Sequence, residues 1–184
     1  MKNIFDTGYY SNNTLNKLGF KKIGKNVRIS KSCLIIGIHN ISLGNNIRID
    51  SFTSIIADKG YLKLGNNIHI GGKGHILCAG GVEIDDDCTL SQGINIYSQS
   101  DDYSGKNPRG IFAKNKLKNY VRGKVKIGAK TIIGSGSVVL HNVTIEKDII
   151  IGALSLVNRN IKKKKEFIAE YLLKKLNKLI LIIG

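Results

Sequence analysis

Residues 43–55 read LGNNIRIDSFTSI and residues 64–76 read LGNNIHIGGKGHI, one pattern written twice. Each places an aliphatic side chain at every sixth position: Leu43, Ile49 and Ile55 in the first, Leu64, Ile70 and Ile76 in the second. The period runs outward in both directions. It holds at Ile23, Ile29 and Ile35 and at Ile84, Leu90 and Ile96, breaks, then resumes at Ile127, Ile133, Val139, Ile145, Ile151 and Val157. A period of six fits neither the 3.6-residue helix nor a long alternating strand. It fits a short strand followed by a corner, three such units closing one triangular coil. Triplets begin at 23, 43, 64 and 84, so one corner of each early coil carries two or three extra residues. The pattern predicts an all-β chain wound as a parallel β-helix.

Corner chemistry agrees. Ile23-Gly24-Lys25-Asn26, Leu43-Gly44-Asn45-Asn46 and Leu64-Gly65-Asn66-Asn67 align coil on coil. Gly and Asn tolerate the left-handed backbone that a tight corner needs. Stacking predicts a ladder of Asn26, Asn46 and Asn67 at the ~4.8 Å spacing of paired strands. Four positions after each aliphatic come Val27, Cys33, Ile47, Thr53, Ile68, Cys88, Ile94 and Ser137, which fill the prism interior.

The repeat divides the chain into an extension at 1–22, a prism at 23–158 interrupted by a protruding loop at 98–126, and a tail at 159–184. In the extension, SNNTLNKLG at 11–19 reads as a short helix with a polar cap and a Gly stop. In the tail, Ile168, Leu172, Leu176 and Leu179 form one stripe of a helix whose other faces carry Lys174, Lys175 and Lys178. That helix fits two placements, packed on an assembled prism or lying on a membrane surface.

The chain carries 29 basic and 13 acidic residues, a net charge of +16. The excess sits in the loop and the tail, which favours anionic partners such as phosphorylated small molecules. Nucleic acid is not expected, because those stretches lack interleaved aromatics and any helix-turn-helix or zinc pattern. Cys33, Cys78 and Cys88 show no ligand spacing and read as reduced core residues. The N-terminus has no signal-peptide core, and the longest apolar run, Leu179 to Ile183, is too short to span a bilayer. A cytoplasmic protein is expected, at the inner face of the membrane if the tail lies there.

Five stretches carry a resemblance: YYSNNTLNKLGFKKIGKNVRI (9–29), GNNIHIGGKGHI (65–76), INIYSQSDDYSGKNP (94–108), RGKVKI (122–127) and IGSGSVV (133–139). They resemble the hexapeptide-repeat acyltransferase superfamily, nearest the galactoside and surface-polysaccharide O-acetyltransferases and their xenobiotic acetyltransferase relatives. The resemblance implies a left-handed prism, a homotrimer, and acetyl-CoA bound along the groove between neighbouring prisms. It implies acyl transfer to a hydroxyl or amine of a sugar or sugar nucleotide in surface-glycan synthesis. Two departures stand out. Tyr97 to Asp102 lacks the His that many relatives carry there, and Asn158-Arg159-Asn160-Ile161 replaces a Gly-Asn-Pro-Ala-Lys type signature.

Acyl transfer needs a base for the acceptor proton and donors for the oxyanion. Coil arithmetic puts His75 one layer below Asn95, at the root of the loop and facing outward, with Asp101 and Asp102 expected to hold its imidazole. His69 stacks over Arg48 and Arg28 on another side and is the second candidate. His39 and His141 read as surface residues of outer turns. Because His69 and His75 face different sides, no metal site is expected within one subunit. For the acceptor the candidates are His69, Tyr103, Lys106 and Arg109. For the cofactor they are Lys130, Gly134, Ser135, Gly136, Ser137, Ala153, Arg159 and Lys162, the small residues for the pantetheine arm and the cations for its phosphates. A second reading stays open: a β-helix that has lost its loop His and serves as a trimeric scaffold or binding module.

Overall fold

The computed structural model describes residues 8–106 and 119–163. The predicted tail helix, Arg109 and the end of the protruding loop lie outside them. Within them the chain winds six times around one aliphatic core, forming three parallel sheets.

The first sheet stacks β1 (Val27–Ile29), β4 (Ile47–Ile49), β7 (Ile68–Ile70), β10 (Thr89–Leu90), β15 (Ile132–Ile133) and β18 (Ile150–Ile151). The second stacks β2 (Leu34–Ile36), β5 (Ser54–Ile56), β8 (His75–Leu77), β11 (Asn95–Tyr97), β16 (Val138–Val139) and β19 (Leu156–Val157). The third stacks β3 (Ile41–Leu43), β6 (Leu62–Leu64), β9 (Val82–Ile84), β14 (Val125–Ile127) and β17 (Thr144–Ile145). The period-six aliphatics meet in register, Ile49 on Ile29 and under Ile70, Ile55 under Ile76, Leu64 under Ile84. Their side chains are almost wholly buried. The second interior column is buried too, except Cys33, which is half-buried.

Most corners use a left-handed residue. One corner carries Asn26, Asn46, Asn67, Asp87, Lys130 and Asp148, all with φ between 54° and 60°. The amide ladder is present: Asn26 donates to Asn46 (3.0 Å), Asn46 to Asn67 (2.8 Å) and Asn67 to Asp87 (2.8 Å). The neighbouring residue caps the coil beneath, Asn45 accepting from the Lys25 amide and Asn66 from the Asn45 amide. Gly44 precedes this pair because a Cβ there would drive into the Gly65 carbonyl. The enlarged corner, between the second and third sheets, contains the short 3-10 turn Ile38–Asn40.

Both ends of the prism are covered. Helix α1 (Asn12–Asn16), capped by Ser11, buries Leu15 against the core, and Gly19 follows with φ 89°. The Asn12 side chain donates to the Gly24 carbonyl and accepts from the Val27 amide (2.8 and 2.7 Å). Tyr9 pairs antiparallel with Ser30, and at the other end Ile161 bridges to Ile145. The break after Ile96 is an antiparallel hairpin, β12 (Gln99–Asp101) with β13 (Tyr120–Arg122), rooted on buried Ser98, whose hydroxyl donates to the Leu77 carbonyl (2.6 Å).

Asn46→Ala removes two rungs of the ladder and puts a Cβ without a polar tip into the left-handed region. Stability is expected to fall by about 1–2 kcal/mol. Denaturant unfolding of Asn46→Gly beside it separates backbone from hydrogen bond: Gly should recover only the backbone share.

Candidate functional site

Outward side chains stack into columns on each face, so each site residue can be placed by coil and by sheet. His75 sits on the outer face of the second sheet, with Ser54 below and Asn95 above, as coil arithmetic predicts. Its half-buried ring lies 5.5 Å from the Tyr97 ring, and burial pushes its pKa below the usual imidazole value. Burial thus favours the neutral form of His75. Asn95 donates to its own corner, the Gly93 carbonyl (2.9 Å).

The expected grouping of His75 with the loop acids does not form within one subunit. Asp101 closes β12 opposite Tyr120 and is exposed. Asp102 is turned into its own loop, accepting from the Ser104 amide (2.8 Å) and the Asn119 side chain (3.4 Å). Coil arithmetic fixes the height of an insertion's root, not the direction in which its hairpin leaves. Tyr103 is 84% exposed at the loop, and the Lys106 amide donates to Ser104.

His69 does stack on Arg48, and Arg48 on Arg28, along the first sheet. The structure adds what the stack left out. Asp50 accepts from the Tyr9 hydroxyl (2.7 Å), from Arg48 Nε (2.7 Å) and pairs with His69 Nε2 (2.8 Å). The Arg48 guanidinium also lies 5.8 Å from the Tyr9 ring centre. Burial raises the Asp50 pKa, but hydrogen bonds from His69, Tyr9 and Arg48 outweigh it, so the carboxyl ends below its usual range. Aligning the residues that follow each strand of this sheet (Ser30, Asp50, Gly71, Ser91, Gly134, Gly152) would have exposed Asp50 as the charged exception.

The proposed cofactor residues are spread over three corners. Lys130 lies in the left-handed column between Asp87 and Asp148. Gly134, Ser135, Gly136 and Ala153 form the corner between the first and second sheets, while Arg159 and Lys162 follow β19 on the far side. Ser137 needs correcting: it points inward, fully buried, its hydroxyl donating to the Gly152 carbonyl (3.0 Å). Gly134 and Gly136 are small for packing reasons, since added Cβ atoms would meet Ala153 and Leu154. His141 is not a plain surface residue either, because its Nδ1 is buried without a hydrogen-bond partner. Among the described residues no helix is long and apolar enough to cross a membrane.

Comparison with known proteins fits this geometry. Residues 124–159 match the bacterial transferase hexapeptide model (six repeats). The chain is 38% identical over 146 residues to the Escherichia coli dTDP-4-amino-4,6-dideoxy-D-glucose acyltransferase, covering 79% of this chain and 76% of that one. The chain belongs to the hexapeptide-repeat acyltransferases. This acyltransferase also superposes on AntD, an N-acyltransferase from Bacillus cereus solved with dTDP and 3-hydroxybutyryl-CoA, with a TM-score of 0.79 and 30% identity over 97% of this chain and 100% of that one. A serine-to-cysteine AntD variant holding dTDP-4-amino-4,6-dideoxyglucose and coenzyme A also gives a TM-score of 0.79, at 30% identity over 94% of this chain and 98% of that one. With the family comes left-handed winding.

Asp50 contributes stability while it is ionised. That contribution is present above the unfolded carboxylate pKa of about 4 and lost as pH falls through its lower folded value. Asp50→Asn should therefore melt below the wild type at pH 7, and the gap should narrow as pH falls below about 4.

Proposed function

We propose that this enzyme transfers an acyl group from a CoA thioester to the amine of an amino sugar carried on a nucleoside diphosphate. The observation that carries the reading is the near full-length match to AntD, whose solved complexes hold a dTDP-amino sugar and coenzyme A together. An acylated sugar nucleotide is a building block for surface glycans, which gives the product its use. An inert scaffold is not favoured by relatives that are themselves acyltransferases.

For the reacting groups we propose Ser91 and Asp101. AntD variants solved with dTDP and coenzyme A replace a serine and an aspartate ten positions apart in its own chain. In this chain Ser91 and Asp101 are the one Ser-to-Asp pair at that spacing. Ser91 would orient the amine, and Asp101 would take its proton as the amine attacks the thioester carbonyl. The tetrahedral oxyanion then collapses, expelling the CoA thiolate, which is protonated. No covalent enzyme intermediate is needed; Cys78 and Cys88 are buried, and burial pushes both thiols up, Cys78 to about 12.

Ser91 precedes the second-sheet strand β11, and Asp101 follows it in the hairpin. A site using both is best built from two subunits, Asp101 of one beside Ser91 of the next. A homotrimer also suits the surface. Leu34, Ile36 and Leu156 stand exposed on the outer face of the second sheet, with Phe52 and Leu154 at the corner beside them. Exposed aliphatics gathered on one face mark an interaction surface. Leu156→Glu is expected to convert trimer to monomer by light scattering and to abolish turnover with it.

Thiol release from acetyl-CoA or 3-hydroxybutyryl-CoA, with dTDP-4-amino-4,6-dideoxyglucose as acceptor, tests the reaction. Asp101→Asn should lower kcat by about 100-fold while coenzyme A binding is retained. His75, whose neutral form burial favours, is the second reading as base. A full-strength Asp101→Asn enzyme beside an inactive His75→Ala enzyme would move the assignment there.

A further inference from the structure

The outer face of the first sheet changes character along its length. From first coil to last, its outward residues are Arg28, Arg48, His69, Thr89, Ile132 and Ile150, in direct register. The lower half is cationic, the fourth coil carries a hydroxyl, and the upper half is apolar and exposed. Lys31 and Lys73, both exposed, flank the lower half at the adjoining corner. The local carboxylate, Asp50, does not cancel these cations; it arranges them. It binds Arg48 through Nε and His69 through Nε2, with the Arg48 guanidinium beside the Tyr9 ring. Arg28 makes no ion pair among the described residues.

Ser91 ends the fourth coil on this same sheet, and directly beneath it Gly71 offers no side chain. Below that bare step come Asp50 and Arg48. Two coils span ~10 Å at the spacing of paired strands. That is about the length of a pyranose ring and one phosphate laid along the prism axis. We infer that Arg28 and Arg48 bind the diphosphate of the acceptor, which lies along the lower half of this face with its sugar pointing up towards Ser91. The inference rests on the proposed acceptor class and adds the surface that recognises it. Planar guanidinium groups make paired, charge-assisted hydrogen bonds to phosphate oxygens, which suits two stacked arginines.

Coenzyme A offers the same chemistry, since it also carries phosphates, so the test separates the two sources. Calorimetry on the intact protein should compare dTDP and coenzyme A as separate titrants. Arg28→Gln and Arg48→Gln should each weaken dTDP about tenfold and leave coenzyme A within about twofold. The dTDP affinity should fall with added salt less steeply in each variant than in the wild type. Lys63→Gln, on the third sheet, should bind both ligands as the wild type does. Arg48→Gln also loses its bond to Asp50, so Arg28→Gln, with no such contact, and thermal melting of every variant guard against a folding effect.

Unchanged dTDP affinity in both arginine variants overturns the inference, even if the enzyme still acylates the sugar nucleotide. Weakened coenzyme A with unaltered dTDP overturns it too and gives this face to the donor. A wild-type enzyme that binds coenzyme A but neither binds dTDP nor acylates its amino sugar removes the acceptor reading and this inference with it.

Discussion

At most of its corners the backbone passes through the left-handed region, and the rest of the molecule is arranged around that demand. Where Asn or Gly meets it the cost is small. Phe52, Lys73, Lys130 and Leu154 meet it with ordinary side chains, at φ between 58° and 62°. Each such residue costs roughly 1–2 kcal/mol. The coils above and below offset that cost by holding both sides of the corner through backbone hydrogen bonds, as Lys73 to Ser51 and Lys130 to Asp86 do (2.9 Å each). Phe52 and Leu154 are also largely exposed, so neither packing nor backbone ease accounts for them within one chain.

Repetition in register turns each face into a column of one chemical character. The third sheet is dressed in ion pairs and hydrogen bonds: Tyr61 donates to Glu83 at 2.6 Å, which pushes its own pKa to about 12, and Lys124 lies 3.5 Å from the same carboxylate. The second sheet is largely aliphatic with His75 and Asn95 at mid-height. The first runs from cations to hydroxyls to aliphatics. One backbone solution thus presents three separate surfaces, and a change on one leaves the others in place.

What the sequence made legible follows from the same repetition. Period six gave the sheets, the Asn ladder and the placement of His75 under Asn95, because each depends only on counting residues around a coil. The Tyr9–Arg48–Asp50–His69 cluster was not legible, since it joins the extension to two coils through side-chain reach that no period records. Nor was the setting of Asp101 and Asp102, which depends on how a hairpin leaves its root. Ser137 and Gly134 show a third kind of limit. Small residues at a corner look suited to a bound chain, yet Gly134 yields space to the coil above, and Ser137 keeps the interior place that the period had already given it. Asp101 was legible as a candidate site residue, though as a partner for His75 and not as the base proposed above, whereas Ser91 gives no sign in a single sequence, being one of many corner serines.

A stack of parallel coils has no natural length. Its end strands leave unpaired the amides and carbonyls that every internal layer pairs, and an open edge of that kind templates further copies of itself. The Asn12 side chain, bonded to Gly24 and Val27, occupies two of those positions, while Leu15 seals the aliphatic column that would otherwise continue. The short helix thereby sets a terminus to a structure that would otherwise grow end to end, and keeps a filament-forming geometry finite.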